Sequence, residues 1–182
     1  MAGLPDIIFL CGFSGSGKTE TGRRLAEMIG YEFVDTDAVL EEVLGSSISH
    51  LLAALGEARF RSVESDILRT VVNVTHRVIA LGGGTIAGDE NLMYAKAQGV
   101  LIYLKVTPET AYERLDGAQA RPLLRVPARA GEDRRQAVLD RIRRLLGERE
   151  RYYLQSQLMI DTEGKSGDQV AEEIRKALTD RE

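Results

Sequence analysis

Residues 12–19 read GFSGSGKT, between an apolar run, IIFLC, and an amphipathic one, ETGRRLAEMIG. Gly12, Gly17, Lys18 and Thr19 satisfy the spacing G-x-x-x-x-G-K-[ST]. Glycines let a backbone curl with its N–H groups turned inward, where they cradle phosphate oxygens. The helix that follows adds the positive end of its dipole. In such a loop a lysine at position 18 reaches the β- and γ-phosphates, and the Thr19 hydroxyl ligates Mg2+. A plain Gly/Ser turn also joins strands to helices. The full spacing, with a strand pattern before it and a helix pattern after it, favours a bound nucleoside triphosphate, ATP being the expected one.

Four further patches carry charge or bare backbone. FVDTD puts Asp35 and Asp37 after a short apolar run. If the chain stays extended they share a side, one carboxylate near Mg2+ and one on a substrate hydroxyl. An Asx turn, or a helix N-cap at Asp37, fits the same residues. In GEARFRSVES, Phe60, Val63, Ile67 and Val71 mark an apolar helical stripe, with Glu64 inside it and Arg61 on its flank. A buried carboxylate needs a partner, and Arg61 is three residues away; a solvated surface pair is the alternative. ALGGGTI exposes the backbone of Gly82, Gly83 and Gly84, as a ligand-facing wall or a flexible turn. Arg149 falls in the stripe of Val138, Ile142, Leu145 and Tyr152, provided Gly147 does not break the helix. An inward guanidinium implies an anion opposite it. Together these groups suit a small acid bearing hydroxyls, gripped by arginine at its carboxylate and oriented by an aspartate.

The elements that must hold these residues alternate. Strands are predicted at Ile7–Cys11, Glu32–Val34, Val78–Leu81, Val100–Val106 and Leu158–Ile160. Helices are predicted at Lys18–Ile29, Ala38–Val43, Glu57–Val72, Asn91–Gln98, Pro108–Leu115, Arg134–Tyr153 and Gly167–Leu178. Strands read as unbroken apolar runs, as when helices cover both sheet faces. The order implies an α/β fold with a parallel sheet, and ligands at the carboxyl ends of the strands. One stretch, DGAQARPLLRVPARAGED at 116–133, breaks the rhythm with prolines, glycines and arginines. It is predicted to be a long surface loop of the kind that forms lids.

The chain has 182 residues, a length suited to one domain, with 24 basic against 28 acidic side chains and a net charge of −4. That balance is not a nucleic-acid binder's footprint. The basic excess between Arg114 and Arg151 fits a cover over a polyanion with fewer assumptions. Cys11 is the single cysteine, so no internal disulfide forms. It is read as a core residue, and His50 and His76 as surface or packing residues. With no apolar run of membrane-spanning length and no basic start to a signal peptide, a cytoplasmic protein is expected, without nucleic-acid or membrane partners. A monomer is the default.

The ordered segments GFSGSGKTETGRRLA, FVDTD, GEARFRSVES, ALGGGTI, RPLL and RERYY resemble the shikimate kinase family, from about Ile7 to Leu178. The resemblance implies a three-layer α/β/α fold like that of nucleoside monophosphate kinases, its five-stranded parallel sheet in the order 2-3-1-4-5. It implies one domain over 1–182, with a lid near 116–133. It further implies that Gly12, Ser14, Gly15, Ser16, Gly17, Lys18 and Thr19 hold ATP, and that Thr19 and, through water, Asp35 hold Mg2+. Asp37 would bind the reacting hydroxyl and Arg61 and Arg149 the carboxylate, beside Gly82, Gly83 and Gly84. Glu64 would position the substrate arginine, Arg114 would stack on adenine, and Arg121 would close over the phosphates. The implied reaction moves the γ-phosphoryl group of ATP to the 3-hydroxyl of shikimate, in aromatic amino-acid biosynthesis. Four features depart from the family: Leu52 stands where an aromatic residue is frequent, His50 where an acid is common, the stretch from Arg121 to Arg149 is longer than usual, which makes Arg151 the alternative to Arg149, and YYLQSQ lacks the usual acidic residues. A kinase of another hydroxy acid such as gluconate, or a non-catalytic nucleotide-binding module, are the other readings.

Overall fold

The computed structural model describes residues 3–115 and 133–180. Five strands, β1 (Ile7–Cys11), β2 (Glu32–Asp35), β3 (Arg77–Ala80), β4 (Val100–Lys105) and β5 (Leu158–Asp161), form one parallel sheet in the order β2-β3-β1-β4-β5. The helices are α1 (Lys18–Ile29), α2 (Thr36–Leu44), α3 (Ile48–Leu55), α4 (Glu57–Val71), α5 (Asp89–Gln98), α6 (Pro108–Arg114), α7 (Arg134–Tyr153) and α8 (Gly167–Thr179).

The side chains of β1 explain its unbroken apolar run. Ile7, Phe9 and Cys11 pack into one core with Phe60, Leu68, Ile142 and Tyr153, while Ile8 and Leu10 pack into the opposite core with Leu25, Ala26, Val170 and Ile174. Successive side chains point to opposite faces, so a central strand covered on both sides must be apolar at every position. Each such side chain contributes about 1.5–3 kcal/mol by leaving water. Helix α1 comes close to the sheet because Gly22 has no side chain; a Cβ there would stand 2.4 Å from the Phe33 ring.

The sheet order and parallel sense are those the resemblance implied. Three details differ from the sequence reading. The chain turns into α2 at Thr36, so Asp35 and Asp37 do not lie along one extended strand. The N-cap is Asp35 rather than Asp37; its side chain accepts from the N–H groups of Asp37 (3.0 Å) and Ala38 (3.4 Å). Helix α3 was not expected at all. The predicted Arg134–Tyr153 helix is present as α7, uninterrupted at Gly147 over its 20 residues. The expected lid lies outside the described residues apart from Asp133, which caps α7.

Candidate active site

The strands run parallel, so their carboxyl ends share one edge of the sheet. There a cleft of about 610 Å³ opens between the loop after β1, the start of α2, helices α3 and α4, the loop after β3, and α7. The glycine loop forms one wall. Its conformation requires glycine at Gly12, where φ is 140° and a Cβ would lie 2.5 Å from the Leu104 carbonyl oxygen. Gly17, with φ 88°, is the N-cap of α1 and supplies no capping side chain. The first-turn N–H groups of α1 thus have no side-chain cap, which suits an anion. Lys18 Nζ donates to the carbonyls of Gly12 (2.9 Å) and Phe13 (3.0 Å), which keeps its charge over the loop.

Thr19 donates its hydroxyl to Asp35 Oδ2 at 2.7 Å. Two hard oxygen donors meet beside the phosphate loop. That set fits Mg2+, which takes one or two protein ligands and fills its octahedron with phosphate oxygens and water.

The facing wall carries the other charges. Glu64 is 5% exposed and ion-paired with Arg61, and its second oxygen accepts from Thr85 Oγ1 at 3.2 Å. Burial pushes the Glu64 carboxyl above its usual range, while Arg61 pulls the other way. Arg61 lies against Gly84, where a Cβ would approach Nη1 to 2.4 Å. Arg149 is 8% exposed and donates to the Gly83 carbonyl at 3.0 Å. Arg151 is exposed and turns its guanidinium over Tyr152, 4.7 Å from the ring centre. Arg114, at the far end of α6, donates to Gly15 O (3.3 Å) and to the Thr162 hydroxyl (3.1 Å) and carbonyl (2.9 Å).

Ser14, Gly15, Gly17, Lys18, Thr19, Asp35, Asp37, Arg61, Gly83, Gly84, Arg114 and Arg149 therefore line one cleft. Three expected residues stand behind it. Gly12 lies under the loop, Ser16 is fully buried, and Gly82 is held from below by a 2.9 Å bond from its N–H to Thr36 Oγ1. Arg121 is outside the described residues. His50 and His76 are exposed, and Cys11 is buried.

The sequence reading missed the supports: Thr36 and Thr85 under the glycine wall, Tyr153 on the Gly83 carbonyl, and Thr162 under Arg114. It also missed α3, which brings Ile48, Ser49 and Leu52 to the cleft. A signal for α3 was present: Ser47 caps it by accepting from the His50 N–H, and Gly56 follows its last residue.

With the glycine loop and Lys18 on one side of the cleft and Asp37, Arg61 and Arg149 on the other, fold and site are those of a small-molecule kinase. A family model described as Shikimate kinase matches residues 14–179. A shikimate kinase of Thermodesulfovibrio yellowstonii is 37% identical over 169 residues, covering 93% of this chain and 92% of that protein. One from Moorella thermoacetica is 39% identical over 175 residues, covering 96% and 95%. The solved structure of shikimate kinase from Acinetobacter baumannii in complex with shikimate superposes with a TM-score of 0.88 at 31% identity, over 97% of this chain and 93% of that one. The chain belongs to the shikimate kinase family.

Proposed function

We propose that Asp37 binds the 3-hydroxyl of shikimate and takes its proton as the bond to the γ-phosphorus of ATP forms and the β–γ bridge breaks. The family's reaction, ATP-dependent phosphorylation of shikimate, is the reaction of this chain. Two carboxylates and two arginines facing a phosphate loop across one cleft carry the reading. Arg61 and Arg149 grip the carboxylate of shikimate, with Glu64 holding Arg61 in place. Gly83 and Gly84 let the carbocycle approach the backbone. Lys18 and the loop amides spread the charge of the phosphates. Thr19 and, through water, Asp35 would hold Mg2+, which would supply charge neutralisation at the phosphates. Arg114 holds the nucleobase end, and Arg121 closes over the phosphates. Catalysis on this plan is alignment and charge neutralisation, with a positioned base contributing about 10²–10⁴-fold.

The protein is proposed to act as a cytoplasmic monomer on this small molecule alone, without nucleic acid or membrane. Among the described residues its exposed large apolar side chains stand singly along the chain, apart from the neighbours Val43 and Leu44 in α2. No described helix is long and apolar enough to cross a membrane. Coupled ADP release with ATP and Mg2+ tests the central reading. Turnover is expected on shikimate far above quinate, gluconate or no acceptor. Faster turnover on gluconate would replace it with the alternative acid kinase, and none on any acceptor with a nucleotide-binding module.

A further inference from the structure

The carbonyl of Gly83 is bonded twice. Arg149 Nη1 donates to it at 3.0 Å and the Tyr153 hydroxyl at 2.5 Å. Both donors come from α7, one turn apart on the same face. A carbonyl oxygen has two lone pairs, and both are taken. Tyr153 is 1% exposed and its ring lies 5.1 Å from that of Tyr103. Burial raises the pKa of its phenol, so the hydroxyl keeps its proton and remains a donor. The Arg149 guanidinium sits beside the same phenol and opposes that rise. Phenylalanine would fill the same space against Tyr103. The hydroxyl is therefore not needed for packing, and what it adds is a tie from the last turn of α7 to the glycine wall.

We propose that Tyr153 is a positioning residue for acceptor binding. It shares the Gly83 carbonyl with Arg149 and so fixes both the glycine wall and the direction in which that guanidinium meets the cleft. The inference rests on the reading of Arg149 as a carboxylate-binding residue. Without the hydroxyl, the carbonyl has a lone pair to fill, and Arg149 is the donor already in contact with it. The guanidinium then turns toward the wall and away from the acid. Misplacement of a positioning group by about 1 Å costs on the order of 10²-fold in reactions that depend on alignment.

The test is Tyr153→Phe. The shikimate KM is expected to rise about tenfold, the loss of one bond to a charged-group network. The ATP KM and kcat stay within about twofold. p-Aminophenylalanine at position 153 restores a donor and should restore the shikimate KM. Arg149→Ala raises the shikimate KM further, and Arg149→Ala combined with Tyr153→Phe is no worse than Arg149→Ala alone. An unchanged KM in Tyr153→Phe, with a raised one in Arg149→Ala, overturns the positioning role and leaves the acid-binding reading standing. An unchanged KM in Arg149→Ala overturns both. Additive losses in the double variant, or equal rises in the KM of ATP and shikimate, mean that Tyr153 is structural only and overturn the inference. If Tyr153→Phe does not fold, the p-aminophenylalanine protein decides: a wild-type shikimate KM supports the role and a raised one refutes it.

Discussion

Single side chains on the acceptor wall have effects that can be separated from folding. At Gly84 a Cβ would press on the Arg61 guanidinium at 2.4 Å and 2.7 Å. The obstructed atoms are the far end of a flexible chain, so Gly84→Ala displaces Arg61 rather than the backbone. Losing a charge-assisted bond costs about 1.5–3 kcal/mol, so the shikimate KM should rise roughly tenfold or more while the ATP KM holds. An unmoved shikimate KM would place the acid away from Arg61. Glu64 gives a pH signature. Burial raises its pKa in the folded protein above that in the unfolded chain. Its stabilising contribution is full below the ordinary carboxylate range and is lost as pH rises through the folded value. Glutamine mimics the protonated acid, so urea melts of the wild type and Glu64→Gln should agree best in acid, with the wild type losing ground to the variant toward neutral pH. A wild type that gains on Glu64→Gln as pH rises would contradict the assignment. Both residues stood out in the sequence, one as a bare glycine and one as a charge in an apolar stripe. Their supports did not, because threonines such as Thr85 are common and nothing local marks which of them bond at a distance.

Elements contribute through their ends. Asp35 closes β2, caps α2 and meets Thr19 from α1, so one carboxylate serves helix stability and the proposed metal site together. Asparagine caps as well as aspartate but lacks the charge. Asp35→Asn should leave the urea midpoint nearly unchanged and raise the Mg2+ requirement about 10–100-fold. Asp35→Ala should add a loss of about 1 kcal/mol from the missing cap. If the two variants shared one Mg2+ dependence with the wild type, Asp35 would be a cap and nothing more. Long elements were readable because each buries one face or both: α7 from its stripe, β1 from its unbroken run. The short α3 carried a readable stripe that the sequence reading passed over: Ile48, Leu51, Leu52 and Leu55 fall at i, i+3, i+4 and i+7 behind the Ser47 cap.

For the whole molecule, Cys11 reports stability. It lies in the central strand at 1% exposure, bonded to Ser156 at 3.3 Å, and burial pushes its thiol up to about 12. Native protein should react with a thiol reagent at least about 10³-fold more slowly than unfolded protein, and only through global opening. The rate should climb with urea as the unfolding equilibrium does, and ATP with Mg2+ should slow it. Rapid labelling in native buffer would mean that β1 opens locally. Layers, strand order and the cleft's position at the carboxyl edge all followed from alternation of elements and the family resemblance, because a parallel sheet with right-handed crossovers leaves few other arrangements.

The sheet order also has a consequence for how the chain is made. β1 leaves the ribosome first, yet Ile7–Leu10 pair with Arg77–Ala80 and Ile8–Cys11 with Val100–Tyr103. Each pairing closes a long loop, which slows folding more than it weakens the product. The strand that carries the glycine loop is therefore unpaired on one side until the chain has reached β4. A nascent chain halted before Val100 already contains every residue of GFSGSGKT, but β4, whose Leu104 carbonyl backs Gly12, does not yet exist. Nucleotide can therefore help only a chain that already extends past β4, and until then the apolar β1 gains nothing from its ligand.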